Sequence, residues 1–302
     1  MCTPRKRLRC LLCKHLKHFL VFKEAQSIIR YMYKSLYSSH DRIYNFEELN
    51  FPIEGVELEL DELGDNLSDR HSKRPYIAFN MVSSVDGKAT TYEGKLTGLG
   101  SRPDRLLMKR LRSQFDAVLA GGTTLRHDAF IPTVPPELSA ERQKNFSQPQ
   151  PLGIVISNSG KLPSEHQFWN AGKDLRVVLV GEETTVESWL EEKAQIFRFP
   201  TKEQQIDLRQ VLAMLFEKLG IKRLLVEGGP ALNYSLISQS LADELFLTIS
   251  PHIVGGVDNM TVIGGYGYGL GGHDLPSLQL RSLYQHESEL FLRYQFQKSA
   301  FG

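Results

Sequence analysis

Between residues 76 and 226 the chain repeats one unit: a short continuous apolar run, a polar turn, then a stretch with apolar side chains at helical spacing. The runs are YIAFNMVSS, DAVLAGG, LGIVISN, DLRVVLVG, QIFRFP and IKRLLVEGG, and the helical stretches are SRPDRLLMKRLRSQF, TTVESWLEEKA and DLRQVLAMLFEKLG. Strands without polar alternation must be covered on both faces, and the intervening helices supply that cover. The pattern therefore predicts an α/β domain on a largely parallel sheet. In the first helix Ser101 is the expected cap, Pro103 sits in the first turn, and Leu106, Leu107, Met108, Leu111 and Phe115 form the apolar stripe. Residues 131–151 read as a proline-rich polar loop. Further on, ADELFLTISPHIVGG, SLQLRSLYQHE and SELFLRYQFQ look like strands with no helices between them, so the sheet is expected to end antiparallel. The expected fold class is one α/β domain, with a mixed, mostly parallel sheet, helices on both faces and antiparallel C-terminal strands.

Composition limits the function. A net charge of +1 in 302 residues gives no overall field to attract nucleic acid or an anionic membrane, so neither is an expected partner. The three cysteines, Cys2, Cys10 and Cys13, lie within the first 13 residues, which leaves the body without thiol chemistry and suits a reducing, cytoplasmic compartment. Cys10, Cys13, His15 and His18 are zinc-ligand types, but the second pair falls too close to the first for a finger, and no metal is expected. The head, residues 1–73, is a basic arm followed by an acidic linker: residues 1–30 carry eight Lys or Arg and one acid, whereas residues 46–65 carry eight acids and no base. It reads as a partly disordered extension, a targeting arm, or the product of an upstream start with Met32 as the true beginning. The body is expected to span 74–302.

In an open parallel sheet the ligand lies beyond the carboxyl ends of the strands. Two turns there are rich in glycine. VLAGGTTLRHD places Gly121 and Gly122 after a strand, with Thr123 and Thr124 opening a helix; LLVEGGPALN does the same with Gly228, Gly229 and Pro230. Both expose backbone N–H groups at a positive helix end, where a phosphate can approach closely. Neither matches the dinucleotide or P-loop fingerprint, so each alone is either a tight turn or a cradle, while the two together point to a nucleotide. Glu227 at the strand end is either a carboxylate satisfied by the helix N-terminus or a contact for a ligand's hydroxyl or amide. Asp86, in SSVDGK, poses the same choice. Lys88 and Arg112 would set bases beside these acids, a mixture that suits a phosphorylated polar substrate.

RPYIAFNMVSSVDGKAT, MKRLRSQFDAVLAGGTTLRHDAF and LLVEGGPALNYSLISQSLADELFLTISPHIVGG, in that order and spacing, resemble the pyrimidine reductase family of riboflavin biosynthesis over about residues 74–298. That family includes the reductase half of the bacterial bifunctional deaminase-reductase and the stand-alone fungal and archaeal reductases. The resemblance implies a dihydrofolate-reductase-like fold, a homodimer and NADPH. It also implies hydride transfer to the sugar C1′ of a 5-phosphoribosylaminopyrimidine, after ring opening to an imine, to give the ribitylamino product. By position it implies cofactor contacts from Thr123, His127, Asp128, Ile156, Glu227, Gly228, Gly229, Pro230 and Ala231, and substrate contacts from Asn80, Ser84, Lys88 and Arg112, with Arg112 on the phosphate. The chain departs from the family at His127-Asp128-Ala129, where two acids and a proline are usual. It also has Asn80 and Val134 where the bifunctional enzymes carry cations. The zinc-binding signatures of the deaminase half do not occur, which assigns deamination to another protein.

Asp86 is the first candidate for the proton donor and Glu227 the reserve. Arg126 or Lys161 would meet a cofactor 2′-phosphate. The glycine-rich run from Gly255 to Gly272, with Tyr266 and Tyr268, reads as a mobile lid or a loose surface loop. Two other functions fit the same motifs: a reductase of a pterin-like heterocycle, favoured by the missing cations, and a non-catalytic nucleotide-binding module.

Overall fold

The computed structural model describes residues 73–91, 98–269 and 275–297, with the backbone of 32–37 and 43–45. The strands are β1 (Met32–Tyr37), β2 (Ile43–Asn45), β3 (Tyr76–Ser84), β4 (Ala117–Gly121), β5 (Leu152–Ile156), β6 (Arg176–Gly181), β7 (Gln195–Phe199), β8 (Thr201–Lys202), β9 (Gln205–Ile206), β10 (Arg223–Val226), β11 (Glu244–Ser250), β12 (Leu278–His286) and β13 (Glu289–Phe296). The α-helices are α1 (Arg102–Arg112), α2 (Gly122–His127), α3 (Pro136–Arg142), α4 (Ser188–Lys193), α5 (Leu208–Glu217) and α6 (Pro230–Ser238).

Eleven strands form one sheet in the order β2-β1-β12-β13-β11-β3-β10-β4-β5-β6-β7, while β8 and β9 form a separate hairpin. Pairing is parallel from β11 through to β7 and antiparallel across β11-β13-β12-β1-β2. The mixed sheet has the layout read from the pattern. Upstream of residue 74, β1 and β2 extend it on the edge beyond β12. The cysteine–histidine cluster of the head lies outside the described residues.

Period-two geometry decides what each face meets. Ile77, Phe79, Met81, Leu119, Ile154, Leu179, Leu224 and Val226 belong to one buried cluster with Val211, Leu212 and Leu215 of α5 and Leu236 and Ile237 of α6. Their neighbours Ala78, Val118, Ala120, Val155, Val178 and Leu225 point the other way and are as fully buried. The helix α1 lies on that second side: it starts at Ser101, whose side chain accepts from the Asp104 amide, and ends at Ser113. Residue 227 continues the alternation of β10 and so turns toward α1, which is why an acid there can meet Arg112.

The proline-rich stretch is not a plain loop. Pro136 opens the short helix α3, and Arg142 at its end is buried, donating to Phe115 O at 2.5 Å, Gln148 O at 3.0 Å and Ser113 O at 3.1 Å. Burial pulls that guanidinium down to about 10. Composition hides this because only tertiary carbonyl acceptors make a buried arginine tolerable. Among the described residues no helix is long and apolar enough to cross a membrane, and no group of three metal-ligating side chains occurs.

Candidate active site

Parallel pairing of β10 with β4 brings the two glycine corners together. β10 lies between β3 and β4, parallel to both. The carboxyl ends of β4 and β10 are thus neighbours on one rim, with Glu227 N donating to Leu119 O and Gly121 N to Gly228 O, both at 2.9 Å. Close approach excludes side chains. A Cβ on Gly121 would lie 3.4 Å from Gly229 N, and one on Gly122 would lie 2.9 Å from Ser157 Oγ. Gly228 has φ +90°, a left-handed region that only glycine enters freely. Neither α2 nor α6 has a side-chain cap, so their first amides face the rim without a side-chain acceptor.

A cavity of about 550 Å³ opens at this rim. Its wall includes all nine residues expected to touch a cofactor: Thr123, His127, Asp128, Ile156, Glu227, Gly228, Gly229, Pro230 and Ala231. Arg126 is there as well, its guanidinium donating to Thr123 Oγ1 at 2.8 Å and to Lys161 O at 2.9 Å. Lys161 contributes that carbonyl and is not itself in the wall. Sequence reasoning missed Ser157, Asn158 and Ser159, the turn after β5, which completes the wall beside Arg126. The signal was available, since this polar SNSG turn follows a parallel strand at the same rim. It also missed Met81, Ala89, Thr90 and Met260, which form a more apolar flank.

Glu227 does not depend on a helix N-terminus for its partners. Its Oε1 accepts from Arg112 Nε at 2.7 Å and its Oε2 from Arg112 Nη2 at 2.5 Å, and the two side chains are 8% and 6% exposed respectively. Arg112 spends its third nitrogen on Ile131 O, at 2.8 Å, and does not line the cavity.

The SSVDGK turn lies outside that wall up to Ala89. Ser84 Oγ donates to Asp86 Oδ1 at 2.6 Å, while the amides of Val254 and Gly255 donate to the Asp86 carboxylate at 3.0 and 2.7 Å. The Ser84 hydroxyl first, then these two amides, hold the exposed carboxyl down at about 2. Such a group is ionised throughout the neutral range and is a poor proton donor. Asp86 fastens a turn to the loop after β11 and does not line the cavity. Lys88 joins the same fastening, with Nζ donating to Asn259 O at 3.0 Å and its amide to Ser84 Oγ at 2.9 Å. Asn80 is half-buried in β3, opposite Phe246, and is likewise not part of the wall.

A carboxyl that was not anticipated lies on α1. Asp104 is pushed up to about 6, by burial first and then by the charges of Glu289 and Glu227, against a hydrogen bond from Thr248. Glu289 is itself raised by burial; it is bonded to Ser101 through one oxygen, while its other, buried oxygen has no partner.

The glycine-rich run past Gly255 is held down where it is described. Gly264 N donates to Pro230 O at 3.0 Å, Tyr268 Oη to Tyr234 O at 3.2 Å, and the two tyrosine rings lie 5.0 Å apart. A Cβ on Gly265 would sit 2.3 Å from the Tyr234 ring, so these glycines allow the loop to press on α6. In the described part, Gly264 and Tyr268 anchor the run to α6 while Tyr266 is exposed.

The profile described as the RibD C-terminal domain matches residues 75–292, nearly the whole described body. The chain belongs to this family. It is 32% identical over 194 residues to the 2,5-diamino-6-ribosylamino-4(3H)-pyrimidinone 5′-phosphate reductase of Archaeoglobus fulgidus, covering 64% of this chain and 87% of that one. The protein of the same description from Methanothermobacter thermautotrophicus is 29% identical over 223 residues, covering 73% and 98%. The crystal structure of a pyrimidine reductase-like protein from Corynebacterium diphtheriae superposes with a TM-score of 0.64 at 21% identity, over 74% of this chain and 93% of that one. That likeness concerns the fold, which is dihydrofolate-reductase-like.

Proposed function

We propose that this member of the RibD C-terminal domain family is an NADPH-dependent reductase converting a 5-phosphoribosylaminopyrimidine to its ribitylamino form in riboflavin biosynthesis. The observation that carries the reading is the pair of glycine corners, which share one cavity on one rim in a chain whose relatives bear that reductase description. The diaminopyrimidinone is the favoured base, because the two relatives that this chain spans over 87% and 98% of their length carry it in their descriptions.

The residues present fit a dinucleotide. A Cβ at Gly122 or Gly229 would crowd Ser157 or Thr124 at these corners, and Arg126 with Ser157 and Ser159 would offer a 2′-phosphate a cation and hydroxyls. When bound, the nicotinamide supplies the hydride. The chain supplies position and dryness: Ile156, Met81 and Met260 exclude water, and the ion-paired Glu227 accepts from a ligand hydroxyl or amine. On this reading Glu227, whose oxygens accept from a guanidinium, serves as an acceptor. A homodimer in the cytoplasm belongs to the same reading. It is supported by the exposed apolar side chains of Val85, Ile253 and Val257 and by a cysteine-free body.

The test is incubation of the full chain with NADPH and, separately, the diaminopyrimidinone and uracil ribosylamino 5′-phosphates, following the absorbance of reduced cofactor. Stoichiometric oxidation with the diaminopyrimidinone is expected. NADPH binding with no turnover on either pyrimidine would sink the reading.

A further inference from the structure

Arg112 raises a question that the reductase reading leaves open, namely whether it holds the substrate or a neighbour of the substrate. Its guanidinium is buried, meets both Glu227 oxygens through a two-pronged contact and gives its remaining nitrogen to Ile131 O. Glu227 reaches the cavity wall and Arg112 does not. Ile131 follows the His127–Asp128 turn, which is also in the wall. One guanidinium on α1 thus ties both sides of the corner, the end of β10 and the segment after α2. A phosphate taken by Arg112 would have to displace Glu227 and leave a buried carboxylate unpaired, which is strongly unfavourable.

We propose that Arg112 is a positioning residue that aims Glu227 into the cofactor corner, and that the substrate phosphate is held elsewhere; the proposal rests on the reductase reading above. The fork geometry is what matters, because two parallel N–H···O bonds fix the plane of the carboxylate, whereas a lysine would hold it by charge alone.

The experiment uses the full chain and the variants Arg112→Met, Arg112→Lys, Glu227→Gln and Arg112→Met/Glu227→Gln, with far-UV circular dichroism to confirm folding. Single-turnover kcat/KM is read with the phosphorylated ribosylaminopyrimidine and with its dephosphorylated nucleoside. Arg112→Met is expected to lose ~10²-fold on both, since misplacing a group by about 1 Å costs that much, leaving the preference for phosphate within about 3-fold of wild type. The double variant should be no worse than Glu227→Gln, because the two residues act as one unit. Arg112→Lys should fall with Arg112→Met and not rescue it; it also serves if the methionine variant does not fold. A loss of tenfold or more in phosphate preference would show that Arg112 holds the phosphate, and losses that multiply in the double variant would show that it acts apart from Glu227; either result overturns the proposal. Absence of wild-type turnover would instead overturn the reductase reading. The positioning role would then be judged by NADPH titration, where Arg112→Met and Glu227→Gln should weaken binding equally; unchanged binding in Arg112→Met would refute it.

Discussion

Replacing Asp104 by asparagine should make the protein more stable at neutral and alkaline pH. In the folded chain this carboxyl is raised from 3.8 to about 6, chiefly by burial. A raised acid binds its proton more tightly in the folded than in the unfolded state. Its stabilising contribution is complete below the unfolded value of 3.8 and is lost as pH rises through about 6. A shift of ~2 units at ~1.4 kcal/mol each gives a loss of ~3 kcal/mol by pH 8, roughly half of it accrued between pH 5 and pH 8. The side chain is only partly buried, so water relieves some of this and ~1–3 kcal/mol is the range to expect. Glu289 works in the same direction, since it too is raised by burial and its charge acts on Asp104. The introduced amide cannot ionise, yet its carbonyl oxygen can still accept from Thr248. Urea denaturation of wild type and Asp104→Asn at pH 5, 6.5 and 8 reads the difference directly. The variant should gain on wild type as pH rises, by ~2–4 °C in Tm per kcal/mol in a parallel thermal scan. A constant difference across the three pH values, or a variant that loses ground at pH 8, would refute the claim that the buried carboxyl is charged at a cost.

Three further outcomes follow from the cavity wall and the turn beside it. Arg126→Gln should raise KM for NADPH roughly 5- to 30-fold and leave KM for NADH unchanged, because one charge-assisted contact at an exposed site contributes at the low end of ~1.5–3 kcal/mol; equal losses on both cofactors would remove Arg126 from the 2′-phosphate. Gly122→Val should weaken NADPH binding by more than tenfold at a stability cost of ~1–3 kcal/mol, because its Cβ would press on Ser157 at 2.9 Å; unchanged binding by calorimetry would show that nothing uses this corner. Asp86→Ala should speed amide hydrogen exchange at Val254 and Gly255, its two backbone donors, while lowering kcat less than Glu227→Gln does; unchanged exchange would refute the fastening role.

Much of the architecture was legible in the chain. Six continuous apolar runs with three amphipathic stretches among them point to a parallel sheet covered on both faces, and the three helix-free runs at the end point to antiparallel pairing. Local chemistry also placed the Ser101 cap, because a capping hydroxyl is chosen within one turn of its partner. The glycine corners could be read as ligand turns because a missing Cβ at a strand end is a local fact. The α3 helix was not legible, since Arg142 at its end is held by the carbonyls of Ser113 and Phe115, 29 and 27 residues away.

Roles of charged residues were decided by the fold alone. Asp86 and Glu227 look alike as acids at strand ends, yet one meets backbone amides of a loop 168 and 169 residues away and the other a guanidinium 115 residues away. Asp104 drew no notice in the sequence, and only its burial, with Thr248 and Glu289 nearby, sets it apart. The covalent chain determines which residues can form a strand, a turn or a cap, because those depend on neighbours a few positions apart. Charge state and orientation depend on desolvation and on partners brought in across the sheet, and only the folded molecule sets those distances.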